Sequence, residues 1–332
     1  MAILTELSMD DVASCTRAFG VEVATASGVM AGSVNTNYAI VDRQGARWFL
    51  RVYEEQDLVG AARQARLLER LALDGVPTPR PQPRRDGAGF VVEVRGKPAS
   101  LFPFIDGRHR CQRAVSEPDV REVGAALGRL HRVGQRFTPS EGLTGPSRFS
   151  IDALRARLEG LDAAALTAEL RRDRALLDAR LDALAGSAPK APELPLIHGD
   201  LFRDNVLFGG REAVLLDFES ASRGPAAFDL VVTLLAWCFG DRLDPALGRA
   251  LVLGYTSARP LSALELDDIP RFAELACVRF AITRITDYEL RPRGSGVYKD
   301  YRRWLARLAA VERSFGLHGR DADSTLRHIW PM

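Results

Sequence analysis

The sequence predicts an α+β protein long enough for two lobes, with extended segments gathered in its N-terminal part and helices in its larger C-terminal part. Three observations carry this. At 332 residues, with 46% apolar and 27% charged side chains, the chain is long enough for two packed cores. Before about residue 98 the apolar segments are mostly short, extended and punctuated by glycine and proline. From Ser116 onward apolar residues recur at spacings of three and four, the period of helices.

Each element has a local reason. Ser8 followed by Asp11 has the pattern of a helix N-cap with an acidic third position, and Val12, Cys15 and Phe19 then share one face until Gly20 stops the helix. Residues 27–41 read as extended chain around a turn of small residues. Gly32 there lets the backbone approach a phosphate, and Ser33, Asn35, Thr36 and Asn37 add polar groups, although a glycine-containing hairpin is more often only a hairpin. Residues 48–53 form the next strand, 58–73 a helix, 75–81 a proline-stiffened connection and 90–94 another strand. Residues 99–107 connect the lobes and carry Phe102 and Phe104.

Ser116 with Asp119 caps the next helix, which places Val120, Val123, Leu127, Leu130 and His131 on one face, His131 as a buried group near the loop described next. Two further helices fit 151–161 and 164–184, and a proline-rich link leads to His198-Gly199-Asp200. Two apolar runs, 206–208 and 213–216, flank Gly209-Gly210 and read as a β-hairpin. That hairpin brings Asn205 at its entry close to Asp217 at its exit. Residues 226–239 are apolar on all sides, as a central helix would be, with Asp229 placed to satisfy backbone N–H groups of that helix or of the loop around Asp200. Residues 269–290 and 298–315 are helical and the tail from Gly316 irregular.

The set Asp200, Asn205 and Asp217 suits phosphoryl transfer from a metal-bound nucleotide, in which two oxygen ligands hold the metal and a separate carboxylate receives the acceptor's proton. His198-Gly199-Asp200, four residues, Asn205, then Asp217-Phe218 resembles the catalytic loop and metal-binding aspartate of the aminoglycoside phosphotransferase and protein-kinase-like superfamily. The resemblance implies a bilobal kinase-like fold, with a small antiparallel-sheet N-lobe over 1–98, a hinge over 99–107 and a larger, mainly helical C-lobe over 108–332. It implies ATP and Mg²⁺ as cofactors, Asp200 as base, and Asn205 and Asp217 as metal ligands. Gly32, Ser33, Asn35 and Asn37 would belong to the nucleotide flap, and the backbone of the hinge would meet the adenine edge, with Phe102 and Phe104 near the ring or in the core. Kinase-like folds place a lysine on the strand at 48–53; here Arg51 is the available cation, and Gln64 stands where its acidic partner would be.

Residues 32–38, 200–208, 228–231, Trp237-Cys238, 279–287 and Lys299-Asp300 are similar to the bacterial homoserine kinases built on this fold. This implies ATP-dependent phosphorylation of the L-homoserine hydroxyl, a step toward threonine. Arg203, Arg284 and Asp287 are the candidates for the acceptor's charges, with Asp204 and Glu219 also available; Arg284 and Asp287, one helical turn apart, are expected to pair with each other. A kinase of another hydroxyl compound, such as an aminoglycoside, choline or a protein serine, and a nucleotide-binding pseudokinase with a regulatory role stay open as alternatives.

A net charge of +2 gives no electrostatic case for nucleic acid or a membrane surface. The four cysteines are far apart and form no metal or redox motif. With no signal-peptide pattern and no apolar run of membrane length, the expected location is the cytoplasm.

Overall fold

In the computed structural model the described residues are all but 1–3, 30–33, 139–140, 145–146, 148–149, 163–165, 187, 192, 211, 291–297, 320–326 and 331–332. Helix α1 (Met9–Ala18) opens with the reciprocal cap its sequence predicts, the Asp11 N–H donating to Ser8 Oγ and the Ser8 N–H to the Asp11 carboxylate. Strands β1 (Val23–Val29), β2 (Thr36–Asp42) and β3 (Arg47–Val52) follow, then helix α2 (Leu58–Leu73), β4 (Val92–Val94) and β5 (Lys97–Pro103). They form one antiparallel sheet in the order β1-β2-β3-β5-β4.

Alternation along these strands sorts their residues onto two faces. One face carries Tyr38, Ile40, Leu50, Val52, Ala99 and Leu101, which pack with Val12 and Cys15 of α1 and with Phe19 just beyond its end. The other carries Asn37, Arg51 and Ser100, which the register sets side by side, and in the next row Phe49 beside Phe102. Phe102 is packed with the core of the large lobe. Of the residues expected to form the hinge, 99–107, those through Pro103 belong to a sheet strand, because their alternating side chains complete both faces. Residues 104–107 lead out of the sheet, and Arg108 pairs with Phe208.

The large lobe contains α3 (Glu117–Gly134), α4 (Ile151–Glu159), α5 (Ala168–Ala185), β6 (Leu196–Ile197), β7 (Val206–Gly209), β8 (Glu212–Leu215), β9 (Ser222–Arg223), α6 (Ala226–Trp237), α7 (Pro245–Ala258), α8 (Ala263–Arg284) and α9 (Arg302–Phe315). Every residue of α6 is buried, as its all-round apolar sequence requires. Helices α3 and α7 cross with their backbones in contact; a Cβ on Gly254 would lie 2.0 Å from the Arg121 carbonyl oxygen. Helix α8 begins six residues before the predicted 269, because Ser262 and Glu265 form a capping box and Pro270 is accommodated inside the helix. It runs on into a π-helical turn, Ile285–Glu289.

The lobes share their main core. Leu67, Leu68 and Leu71 of α2, with Val76 and Phe102, pack in the same cluster as α3, α6 and α8. The proline-stiffened connection is pinned to the hairpin, since the Leu215 N–H donates to the Pro77 carbonyl at 2.7 Å. Among the described residues no helix is long and apolar enough to cross a membrane.

Candidate active site

Strands β7 and β8 form the predicted hairpin, and beyond its last pair the Leu216 N–H donates to the Asn205 carbonyl at 2.9 Å. This closes the hairpin's open end and brings Asn205 beside Asp217. His198 ties the loop before the hairpin to its exit: its Nε2–H donates to the Leu216 carbonyl at 2.8 Å, and its Nδ1 accepts the Asp200 N–H at 3.3 Å. Gly199 adopts φ +77, and a Cβ there would lie 2.9 Å from the Ser220 carbonyl oxygen, so glycine is required on both counts. The Asn205 Nδ2 donates to the Asp200 carbonyl at 2.7 Å, which leaves its Oδ1 as the remaining acceptor.

Beneath this loop lies the role expected of Asp229. Wholly buried on α6, it accepts the His198 N–H at 2.7 Å, the Gly199 N–H at 2.8 Å and the His131 Nε2–H at 3.0 Å. The chain of partners continues: the Tyr255 hydroxyl donates to His131 Nδ1 at 2.9 Å, and Arg259 donates to Tyr255 and to Glu265. Burial works to raise the Asp229 pKa, but the His131 hydrogen bond, the two histidines and the His198 N–H outweigh it and hold it below the usual carboxylate value. Burial dominates at His131 and lowers its pKa, keeping the ring neutral.

Asp200 is pushed the other way. Burial raises its pKa, opposed by Arg279, His198 and Lys299 and reinforced by the neighbouring charge of Asp217. Asp217 sits at φ 61 and ψ 70, in the left-handed region, and its Oδ1 is buried with no hydrogen-bond partner among the described residues. A buried carboxylate oxygen without a donor is what a metal ligand looks like before the cation is placed. Asn205 and Asp217 thus fit a divalent cation.

On the sheet side, Arg51 lies between Asn37 and Ser100, with its Nε buried and unpartnered among the described residues. Burial raises the Tyr53 pKa, opposed by the charge of Arg51. By register Arg51 shares its face of the sheet with Phe102, which packs in the core of the large lobe. Arg51 forms no ion pair with a carboxylate among the described residues, and Gln64 instead accepts a hydrogen bond from Gln56 at 2.8 Å. Asn35 reaches across the lobes, its Nδ2 donating to Glu219 Oε1 at 2.6 Å. Phe104 lies under the Arg47 guanidinium at 4.0 Å. Gly32 and Ser33 lie outside the described residues.

A cavity of about 210 Å³ opens beside Asp200 and Asp217. Its other charged lining is Arg157, Arg279, Arg284 and Lys299 against Glu219 and Asp287. Arg284 and Asp287 both reach it but do not pair: Arg157 Nη1 donates to Asp287 Oδ1 at 3.0 Å and to Thr286 Oγ1 at 2.8 Å, while Arg284 donates to the Asp300 carbonyl at 2.9 Å. Asp287 has been claimed by α4, which the spacing of two residues on one helix could not reveal. Arg203 is not among the cavity's lining residues. It sits in the 3₁₀ turn Arg203–Asn205 and donates to the Ala236 carbonyl, so it caps the C-terminal end of α6, where a cation is favoured. Arg157 and Arg279 reach the cavity without being anticipated; Arg279 lies within a stretch noted in the sequence, whereas Arg157 gives no signal in its own helix.

Fold and site together define a phosphotransferase of the kinase type that acts on a hydroxyl group. The chain belongs to the phosphotransferase enzyme family, whose sequence profile matches residues 25–261. It is similar to the homoserine kinase of Rhizobium etli, 33% identical over 310 residues that cover 90% of this chain and 92% of that one. To the homoserine kinase of a Chelativorans species it is 34% identical over 316 residues, 93% of this chain and 95% of that one. Among solved structures it resembles a microcompartment-associated aminopropanol kinase with a TM-score of 0.70 at 22% identity, covering 94% of this chain and 99% of that one, a likeness of fold.

Proposed function

We propose that the protein transfers the γ-phosphoryl group of ATP to the side-chain hydroxyl of L-homoserine, in the cytoplasm and with Mg²⁺. The observation that carries this reading is the mixed charge of the cavity beside Asp200. Cations and carboxylates line it together, matching an acceptor that bears one ammonium and one carboxylate close to its hydroxyl, and the relatives named homoserine kinase supply the same acceptor independently.

Asp200 holds and orients the hydroxyl and accepts its proton as the oxygen bonds to the γ-phosphorus and the bond to the bridging oxygen breaks, releasing ADP. Asn205 and Asp217 would hold the divalent ion, which supplies charge neutralisation on the phosphates. Arg51, between Asn37 and Ser100, faces the phosphate side, and Asn35 carries the flap's contact to Glu219. Gly32 and Ser33 complete the flap in this reading, residues 104–107 serve as the hinge, and Phe102 acts through packing.

The test is ADP release from ATP and Mg²⁺ with L-homoserine, L-serine, L-threonine, choline and an aminoglycoside as acceptors. Saturable turnover with L-homoserine is expected. Turnover confined to another acceptor would refute the substrate, and turnover with none would refute the reading as a kinase of these alcohols.

A further inference from the structure

Asp200 serves as the base only while its carboxylate is held where the acceptor hydroxyl arrives. Resting on that reading of Asp200, we infer that Arg279 is a positioning residue of the transfer. Through the Gly199 carbonyl it fixes the peptide unit that carries Asp200.

The Gly199 carbonyl and the Asp200 N–H belong to one planar unit and point in opposite directions. Arg279 Nη1 donates to the carbonyl, and the Asp200 N–H donates to His198 Nδ1 at 3.3 Å, so the unit is gripped from both sides. The units on either side are held as well. The Gly199 N–H donates to Asp229 at 2.8 Å, and the Asp200 carbonyl accepts from Asn205 Nδ2 at 2.7 Å. Every backbone polar group of Gly199 and Asp200 therefore has a partner, with α6 supplying Asp229 and α8 supplying Arg279. The guanidinium is itself seated between aromatic rings of these two helices, 4.4 Å from the Phe280 ring centre and 5.7 Å from that of Phe228, the residue before Asp229.

A neutral donor would satisfy a backbone carbonyl, and taking a guanidinium out of water is costly. Arg279 is only 2% exposed, yet it lines the cavity together with Asp200 and Asp217. A fixed cation in a wall shared with two carboxylates does what a neutral donor could not: it orients the Asp200 backbone and adds a preorganised positive charge beside the place where the phosphoryl group is passed. A planar guanidinium holds the carbonyl with one N–H in a fixed direction, where the ammonium of a lysine is a mobile point charge.

The test is a double-mutant cycle between Arg279→Gln and Asp200→Asn. The readouts are kcat per folded molecule, with the folded fraction taken from circular dichroism, and KM for ATP and for L-homoserine. Arg279→Gln alone should lower kcat by on the order of 100-fold, the effect of a reacting group displaced by about 1 Å, and leave both KM values within about threefold. Arg279→Lys, which keeps a charged donor, should retain more of the rate than Arg279→Gln. In the Asp200→Asn background no base is left to position, so Arg279→Gln should cost no more than about threefold further. An equal loss in both backgrounds would overturn the inference and assign Arg279 to the fold or to the nucleotide. A raised KM for L-homoserine with kcat unchanged would overturn it in favour of direct contact with the acceptor. Should Arg279→Gln not fold, the same cycle run with Arg279→Lys decides between the same outcomes. Unchanged turnover in Asp200→Asn alone would overturn the reading of Asp200 as the base, a result distinct from equal losses in the two backgrounds.

Discussion

Removing the Asp229 carboxylate should unmake the catalytic loop. The side chain is wholly buried and accepts three hydrogen bonds, from the His198 and Gly199 backbone N–H groups at 2.7 and 2.8 Å and from His131 at 3.0 Å. Asp229→Ala leaves two backbone donors and an imidazole N–H facing a dry cavity. An orphaned buried donor costs about 1–3 kcal/mol, so with three of them left a loss of about 4 kcal/mol is expected. Asp229→Asn keeps one acceptor oxygen but turns an NH₂ toward a donor, so its loss should be about 1–3 kcal/mol. Urea unfolding measures both, and native-state hydrogen exchange locates the effect, since the His198 and Gly199 amides should lose protection before the helices do. The fall in kcat should exceed what the unfolded fraction explains. An Asp229→Ala protein within 1 kcal/mol of wild type, with unchanged protection at those amides, would refute the reasoning.

Asp200→Asn should lower turnover by about 10²–10⁴-fold while nucleotide affinity, read by calorimetry, is preserved; unchanged turnover would remove Asp200 from its role. Chelation by EDTA should abolish activity reversibly, and Asp217→Asn should raise the Mg²⁺ concentration needed for half-maximal rate, because it weakens the ligand whose oxygen is otherwise orphaned. Since His131 has its pKa lowered in the folded protein, the unfolded chain binds more protons below about pH 6.5, and stability should fall as pH drops through that point. The slope due to this group is at most about 1.4 kcal/mol per pH unit, and His131→Gln should flatten it in unfolding measured from pH 7.5 to 5.5.

What the sequence revealed was local. The caps at Ser8 and Ser116, the span of α2 and the hairpin closing on Asp217 depend on residues within a few positions of one another, and all of them are present. Asp229 was legible too, because a carboxylate at the start of an apolar helix has few ways to be satisfied. The acceptor cavity was less so. Arg157 arrives from α4, and its use of Asp287 depends on a packing of helices that no spacing within either helix encodes. Arg203 misled for the opposite reason: adjacent in sequence to the catalytic loop, it is swung by a 3₁₀ turn toward the end of α6. The start of α8 was hidden by Pro270, which reads as a helix beginning and is instead carried in the interior.

The shared core has a consequence for how this chain can be taken apart. Leu67, Leu68 and Leu71 belong by position to the sheet lobe but by packing to the helices, and Pro77 is bonded to the second strand of the hairpin. A cut through 104–107 would strip each fragment of part of its interior, so neither should fold alone, and the intact protein should melt in one transition by fluorescence and circular dichroism alike. The two-lobed outline is then a matter of shape and not of assembly. A sheet lobe borrowed from a distant phosphotransferase could not be fitted as a cassette unless the underside of its helix were recut to match these helices.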